Sequence, residues 1–244
     1  MAKISAKQCE ILAREAKILD IARPMIASGG LSALSMDSIA QILNSAKGTI
    51  YNHFPNKEEI VLALAVQAVE KRLELFNFAV MMRGNPRERA AAIGLACELY
   101  ADRFPELFQT EILIRNENIL EKTSAKRQEI MRNCEGRCMH LVAGVVRDAV
   151  ASGDLKLEPN HGIESIVFGL WSVVYGGLMI EATSPSLADV GILRPRDAIR
   201  RNCNAMLDGI QWLPLFSQKR YDAWSKSVMA YLESVVSTPL RKSI

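Results

Sequence analysis

Apolar positions recur at helical spacing in a short stretch near the start of the chain, between residues 34 and 57. Met36, Ile39, Ala40 and Leu43 fall at i, i+3, i+4 and i+7, so their side chains share one face of a helix. The pattern therefore predicts a short helix that buries one side.

Polar residues mark both ends of this predicted helix. Ser35 stands just before the apolar stripe, where its hydroxyl can accept a hydrogen bond from a backbone N–H of the first turn. Asn44 and Ser45 interrupt the stripe, and asparagine tolerates the left-handed backbone that a tight turn between helices needs. We therefore expect a helix, a tight turn and a second helix.

The second predicted helix separates an apolar side from a polar side. Ala46, Ile50 and Phe54 are expected to line its inner face. Its outer face carries one cation and several hydrogen-bond donors, namely Lys47, Thr49, Tyr51 and Asn52. A helix with an apolar back and a donor-rich front suits the major groove of DNA.

Helical spacing continues through the rest of the chain, with glycine and proline at the breaks. The first helix should cover residues 5–27, with a kink or an irregular last turn at Pro24 and an end at Gly29-Gly30. Asn56 should cap a long helix that runs to about Met82. Further helices are predicted at residues 86–104, 105–120, 125–152, 160–183, 195–212 and 217–236.

Composition agrees with an all-α globular protein. The chain is 49% hydrophobic and poor in glycine and proline, which argues against disorder. No apolar run follows Met1, so no secretory signal is expected and a cytoplasmic location follows. The longest uncharged stretch, residues 165–180, is shorter than the roughly 20 residues that cross a bilayer, so no membrane partner is expected.

The predicted helix at residues 160–183 is apolar on nearly all sides, so it must be covered from more than one direction. One side can face its own core and another a second subunit. Gly169, Gly176 and Gly177 would let another helix approach closely, and the helix at 195–212 would complete a four-helix dimer interface. The alternative is a central core helix in a monomer.

The net charge of +3 is unevenly placed along the chain. Residues 1–57 hold seven lysines and arginines against four acidic residues, whereas the remainder holds 23 of each sign. All the excess positive charge therefore lies with the two short helices. A basic surface attracts DNA through its phosphates and through counterion release.

A specific run of residues surrounds the second short helix. Lys47-Gly48-Thr49-Ile50-Tyr51 is followed by His53-Phe54 and then by Lys57-Glu58. With Ser35 and Ile39-Ala40 before it, this run resembles the tetracycline-repressor (TetR) family of bacterial transcription regulators over residues 10–65. The chain departs from the family in the turn, where Asn44, Ser45 and Ala46 stand in place of Gly, Val and Ser.

The resemblance implies a domain organisation and a function. A three-helix helix-turn-helix domain at residues 1–57, with its motif at 34–53, would share a helix with a larger ligand-binding and dimerisation domain at 58–244. The protein would be a sequence-specific transcriptional regulator, a ligand-released repressor that binds a palindromic operator as a homodimer. It would act in the bacterial cytoplasm and lie on the nucleoid when bound to DNA.

The residues expected to bind DNA are Ser35, Lys47, Gly48, Thr49, Tyr51, Asn52 and Lys57. Gly48 would allow close approach to the DNA backbone or to a neighbouring helix, or would simply be tolerated in a short helix. The Tyr51 hydroxyl is expected to face a phosphate, since Ile50 and Phe54 already occupy the inward positions. Lys57 could hold a phosphate together with backbone N–H groups.

The larger domain is expected to hold a pocket for an unknown small-molecule effector. Its candidate lining residues are aromatic or soft side chains on helices that should converge: Tyr100, Phe104, Phe108, Cys138, Phe168, Trp171 and Tyr175. Each of these has an alternative role in ordinary core packing.

Two other functions compete with this one. An all-helical enzyme finds no support, because His53, His140 and His161 have no matched partners and no catalytic motif is present. Neither a cofactor nor a metal is expected, and Cys134 and Cys138 suit buried packing better than a zinc site. The second alternative is a DNA-binding architectural or division-control protein without small-molecule induction.

Overall fold

The computed structural model describes residues 5–116, 118–159 and 162–237, and this part of the chain is all-α with no strand. This confirms the predicted fold class. The helices are α1 (Ala6–Ala33), α2 (Met36–Ile42), α3 (Lys47–His53), α4 (Lys57–Val80), α5 (Pro86–Arg103), α6 (Pro105–Asn116), α7 (Ala125–Ala151), α8 (Ile163–Thr183), α9 (Pro195–Gly209) and α10 (Gln218–Ser237).

The helices form two compact units. Unit 1 comprises residues 1–70 and 104–135, and unit 2 comprises residues 71–103 and 136–244. Helices α4 and α7 each contribute residues to both units. The functional boundary predicted near residue 57 stays a prediction, because these units are defined by packing rather than by function.

The core of unit 1 holds the first three helices together. Its fully buried side chains include Ile18 and Ala22 of α1, Ile39 of α2, Ile50 of α3, and Phe54 directly after α3. Helix α1 contacts both α2 and α3 and also packs along α6. Burying these side chains fixes α2 and α3 against α1, as the apolar stripes predict.

Helix α1 differs from the prediction at its C-terminal end. Pro24 lies within the helix, and the backbone leaves helical geometry only at Gly29 and Gly30. Gly30 adopts a φ of 64°, which glycine reaches without a steric penalty. The glycine pair therefore interrupts the helix as predicted, while the backbone at Pro24 keeps helical dihedral angles.

Unit 2 is a layer of helices built around α5 and α8. Helix α5 packs against α8 and α10, and α8 packs along α9. A Cβ on Gly177 would come within 2.5 Å of Ile199, and a Cβ on Gly169 within 2.6 Å of Met206. These two glycines therefore let α9 approach α8 closely within one chain.

Helix α8 keeps much of its apolar surface outside the core. Only 28% of its most apolar stretch is buried. By length and composition alone, it is the one helix among the described residues that could cross a membrane. Core helices of water-soluble proteins pass the same criterion of length and composition. The uncovered surface of α8 therefore suits contact with another protein as well as contact with lipid.

Candidate DNA-reading helix and effector cavity

Helix α3 is anchored by its apolar side. Ile50 and Phe54 are fully buried, while Lys47, Tyr51 and Asn52 are exposed. The donor-rich side of the helix therefore faces away from the core, as its sequence predicts. Thr49 is half-buried.

Ala46 does not lie where the sequence suggested. It was expected on the inner face of α3, but it is exposed. Its backbone is extended, with φ −64° and ψ 142°, because it is the residue just before the helix begins. A side chain at that position precedes the helical register, so the apolar spacing does not apply to it.

The N-terminal cap of α2 and the turn before α3 both have the predicted chemistry. The Ser35 hydroxyl accepts a hydrogen bond from the backbone N–H of Ser38 at 3.2 Å, which caps α2. Because it acts there as an acceptor, its own proton can still be donated to another group. Asn44 adopts the left-handed conformation with φ 47°, as expected for this turn.

The two lysines predicted to contact DNA have different surroundings. Lys47 Nζ lies 2.6 Å from Asp37 Oδ2, and both side chains are more than half exposed. Such a pair is weak and can exchange for a phosphate. Lys57 Nζ instead donates to the Leu31 carbonyl at 3.0 Å and is half-buried, so it helps to hold α4 against the end of α1.

Gly48 is exposed, and a Cβ placed there would meet nothing within 4 Å. Close approach to a neighbouring helix therefore does not explain this glycine. A close approach by DNA and simple tolerance in a short helix both remain.

Unit 2 contains an apolar cavity between its helices. Six helices contribute to the lining: α4, α5, α7, α8, α9 and α10. The volume is about 80 Å³, less than the roughly 150 Å³ that an engineered cavity offers to a benzene ring. A drug-sized ligand would therefore require lining side chains to move.

An ion pair between buried Glu98 and partly exposed Arg200 forms part of the cavity lining. The Arg200 guanidinium contacts both carboxylate oxygens of Glu98, at 2.9 and 2.6 Å. The Glu98 side chain is only 3% exposed. Burial raises the pKa of Glu98 above its usual range, and the hydrogen bond from Arg200 opposes that rise. The sequence analysis missed this pair, since no local pattern connects residues 102 positions apart.

Two other titratable side chains line the cavity. Burial raises the pKa of the Cys203 thiol to about 12, with a smaller contribution from the charge of Glu98. Burial likewise raises the pKa of Tyr221 above its usual range. Both side chains therefore stay protonated at neutral pH.

Comparison with known proteins identifies the family. Residues 18–64 match the family model described as "Bacterial regulatory proteins, tetR family". This range contains the Ser35 cap, the turn at Asn44 and the residues of α3 described above. The chain therefore carries a TetR-family helix-turn-helix domain at residues 18–64. It is a helix-turn-helix transcriptional regulator that binds DNA.

Curated relatives include other regulators. The "HTH-type transcriptional regulator UidR" of Escherichia coli K12 is 23% identical over 205 residues, covering 83% of this chain and 95% of that protein. The "Fatty acid metabolism regulator protein" of Bacillus subtilis is 26% identical over 141 residues, covering 57% of this chain and 70% of that protein.

Solved structures share the fold. The TetR-family regulator PfmR of Thermus thermophilus is 18% identical, with a TM-score of 0.58, and the alignment covers 78% of this chain and 97% of that one. A protein described as a transcriptional regulator, from Saccharomonospora viridis and solved in complex with choline, is 18% identical with a TM-score of 0.62. That alignment covers 80% of this chain and 96% of the other.

The cavity of this TetR-family chain includes two of the seven predicted pocket residues, Trp171 and Tyr175. The other five lie elsewhere. Tyr100 and Cys138 are buried outside the lining, and Phe168 is 63% exposed. Phe104 and Phe108 belong to unit 1.

Metal-ligating side chains do not cluster in the part of the chain that the structure describes. No group of three or more His, Cys, Asp or Glu side chains there could hold a metal ion. Cys134 and Cys138 are buried, as expected for packing residues. His161 lies outside the described residues.

Proposed function

We propose that this TetR-family protein is a homodimeric, ligand-released repressor that reads a palindromic operator with helix α3. The observation that carries the proposal is the two-sided environment of α3. Ile50 and Phe54 anchor one side, and Lys47, Tyr51 and Asn52 are exposed on the other. Side chains of this kind bind phosphates and base edges in the major groove.

The exposed surface of α8 supports the homodimer. Phe168, Ser172, Gly176 and Ile180 recur every four residues and form one row along the helix. Phe168 and Ile180 are 63% and 51% exposed, and Gly176 has open space where a Cβ would lie. An apolar row with a glycine in its middle suits the close approach of a helix from a second copy.

The cavity in unit 2 supports a small-molecule effector. It combines a mostly apolar lining with a few charged and polar side chains, which is the usual composition of a ligand pocket. A protein with the same fold has been solved with choline.

Helix α4 offers a route for release. It begins at Lys57, four residues after α3 ends, and its residues Arg72 and Phe76 line the cavity. An effector that binds better to a second arrangement of α4 would shift the population towards that arrangement. The spacing of the two α3 helices would then no longer match the operator.

The decisive experiment is footprinting on genomic fragments, together with the mass of the protein in solution. The proposal expects a few strong sites, each protected with two-fold symmetry and with half-sites about 34–36 Å apart. A strictly monomeric protein would contradict it. Many weak, dispersed sites would favour the architectural role instead.

A further inference from the structure

Arg127 lies near the start of α7, far along the chain from the helix-turn-helix, yet it contacts residues of α1 and α4 and the residue that ends α3. Its guanidinium carbon sits 4.6 Å from the centre of the Phe54 ring. Its Nε lies 2.6 Å from Glu59 Oε2, and one terminal nitrogen lies 3.8 Å from Glu15 Oε1. All of these residues belong to unit 1.

Two of these three contacts fall at the ends of helices. Phe54 is the residue that terminates α3, and it is fully buried. Glu59 lies in the first turn of α4, and Glu15 lies on α1. One side chain from α7 therefore joins the end of α3, the start of α4 and the middle of α1.

Glu15 extends the cluster to α3 itself. Its Oε1 lies 3.8 Å from His53 Nδ1, and His53 is the last residue of α3. The same carboxylate oxygen faces Arg127. The C-terminal end of α3 therefore lies against Arg127 at the Phe54 ring and next to Glu15 at His53.

The start of α7 is fixed to α4 by backbone contacts as well. The Ser124 N–H donates to Glu59 Oε1 at 2.5 Å, and the Asn56 side chain donates to the Lys122 carbonyl at 2.9 Å. These hydrogen bonds fix the start of α7, and with it Arg127, relative to the start of α4.

Arginine is chemically suited to this position. Its planar guanidinium can stack on an aromatic ring and face carboxylates at its edge, whereas an ammonium offers only a point charge. The Glu59 side chain is 5% exposed, and Oε2 has no aligned hydrogen-bond donor among the described residues. Its contact with Arg127 is therefore ionic, and losing Arg127 would remove that charge compensation from a buried carboxylate.

We propose that Arg127 is a positioning residue for DNA reading, which sets the tilt of α3 from α7 without touching DNA. The proposal rests on α3 being the recognition helix, but it does not depend on an effector. Since Arg127 contacts Phe54 rather than the exposed side of α3, its removal should misplace the DNA-reading side chains while every one of them remains present.

The test compares Arg127→Gln with Arg132→Gln in the full-length protein. Arg132 lies on the same helix and pairs only locally with Glu129 at 2.6 Å, with its side chain 61% exposed. The two variants therefore lose the same charge from the same helix. Binding to the duplex upstream of this gene is measured by anisotropy over a salt series, and amide hydrogen exchange is followed in α3.

Arg127→Gln is expected to weaken binding by roughly tenfold or more at every salt concentration, with an unchanged salt slope and faster exchange in α3. Arg132→Gln should match the wild type in all three measurements. Equal behaviour of the two variants would overturn the proposal. A salt slope reduced by about 0.9 would also overturn it, because Arg127 would then be a phosphate contact.

If Arg127→Gln loses protection against amide hydrogen exchange throughout α1 to α4, the Arg127→Lys variant is measured in its place. Lysine keeps the positive charge but not the planar stack on Phe54. Restored protection with weakened binding supports positioning, whereas restored protection with wild-type affinity overturns it. If even the wild type fails to prefer its duplex, the proposed function fails, and exchange in α3 still tests the role of Arg127.

Discussion

Helices α3 and α8 both leave one side uncovered, but the two sides differ in chemistry. The exposed side of α3 carries Lys47, Tyr51 and Asn52, whereas the exposed row of α8 contains Phe168 and Ile180. Polar donors cost little free energy to leave in water, whereas large exposed apolar side chains such as Phe168 and Ile180 gain stability when a partner covers them. The first surface is stable in water until it binds DNA, and the second suits the subunit contact proposed above.

The comparison also extends to the ion pairs of the two units. Unit 1 carries the exposed Lys47–Asp37 pair beside its recognition helix, whereas unit 2 buries Glu98 against Arg200. An exposed pair contributes little to stability and can be exchanged for a ligand. A buried pair is costly to break. The following changes separate the roles of these surfaces and pairs.

The largest effect is expected from charging the α8 row. Phe168→Glu with Ile180→Glu should give a folded monomer, because like charges would face each other across the interface. Specific DNA binding should fall by about 10³-fold, towards the non-specific level. Sedimentation and anisotropy would measure the two changes. Met81→Glu is the control, since Met81 is 80% exposed and lies outside α8; an equal loss in that variant would contradict the assignment.

Next in size is the loss of the cation that faces the buried Glu98 carboxylate. Arg200→Met should lower the free energy of unfolding by about 3 kcal/mol at neutral pH, because Glu98 would remain buried without its partner. Lys47→Met, which breaks the exposed pair, should cost about 1 kcal/mol or less. Urea denaturation measures both variants, and equal costs would mean that burial does not distinguish the pairs.

The pH dependence of stability gives a smaller effect from the same pair. Because the pKa of Glu98 is raised in the folded state, the folded protein binds more protons than the unfolded chain above about pH 4.5. The stability due to this group is therefore present at lower pH and is lost as pH rises through the folded pKa. Glu98→Gln should remove this pH dependence. A wild type that gains stability relative to Glu98→Gln as the pH rises above about 4.5 would contradict the raised pKa of Glu98.

The smallest effects concern the two lysines beside α3. Lys47→Ala should reduce the slope of log affinity against log salt by about 0.9, as expected for one lost phosphate contact. Lys57→Ala should change the slope less, since its Nζ already donates to the Leu31 carbonyl. Anisotropy over a salt series measures both slopes, and the reverse order would assign the phosphate contact to Lys57.

Local features of unit 1 were predictable from the sequence. The Ser35 cap and the left-handed Asn44 depend on groups three or four residues away, so spacing alone reveals them. The wrong placement of Ala46 has the same origin, because helical spacing was extended one residue beyond the start of α3. The break at the glycine pair within α1 was predicted, and the backbone around Pro24 keeps helical dihedral angles.

Features that join distant segments were not predictable in this way. Arg127 meets Phe54 across 73 positions of sequence, and Glu98 meets Arg200 across 102. The aromatic residues proposed for the pocket were chosen by type, yet type does not determine which side of a helix faces a cavity. Trp171 lines the cavity, while Phe168, one turn earlier, faces outward.

The central claim, that α3 reads a specific DNA sequence, is tested most directly by anisotropy over a salt series. The probes are the duplex upstream of this gene and a scrambled duplex of equal length, with the Thr49→Ala, Tyr51→Ala double variant beside the wild type. The account predicts a specificity ratio near 10³ or more for the wild type, with a steep salt slope, and a ratio that collapses in the variant. A high ratio that survives in the variant would contradict the assignment of α3.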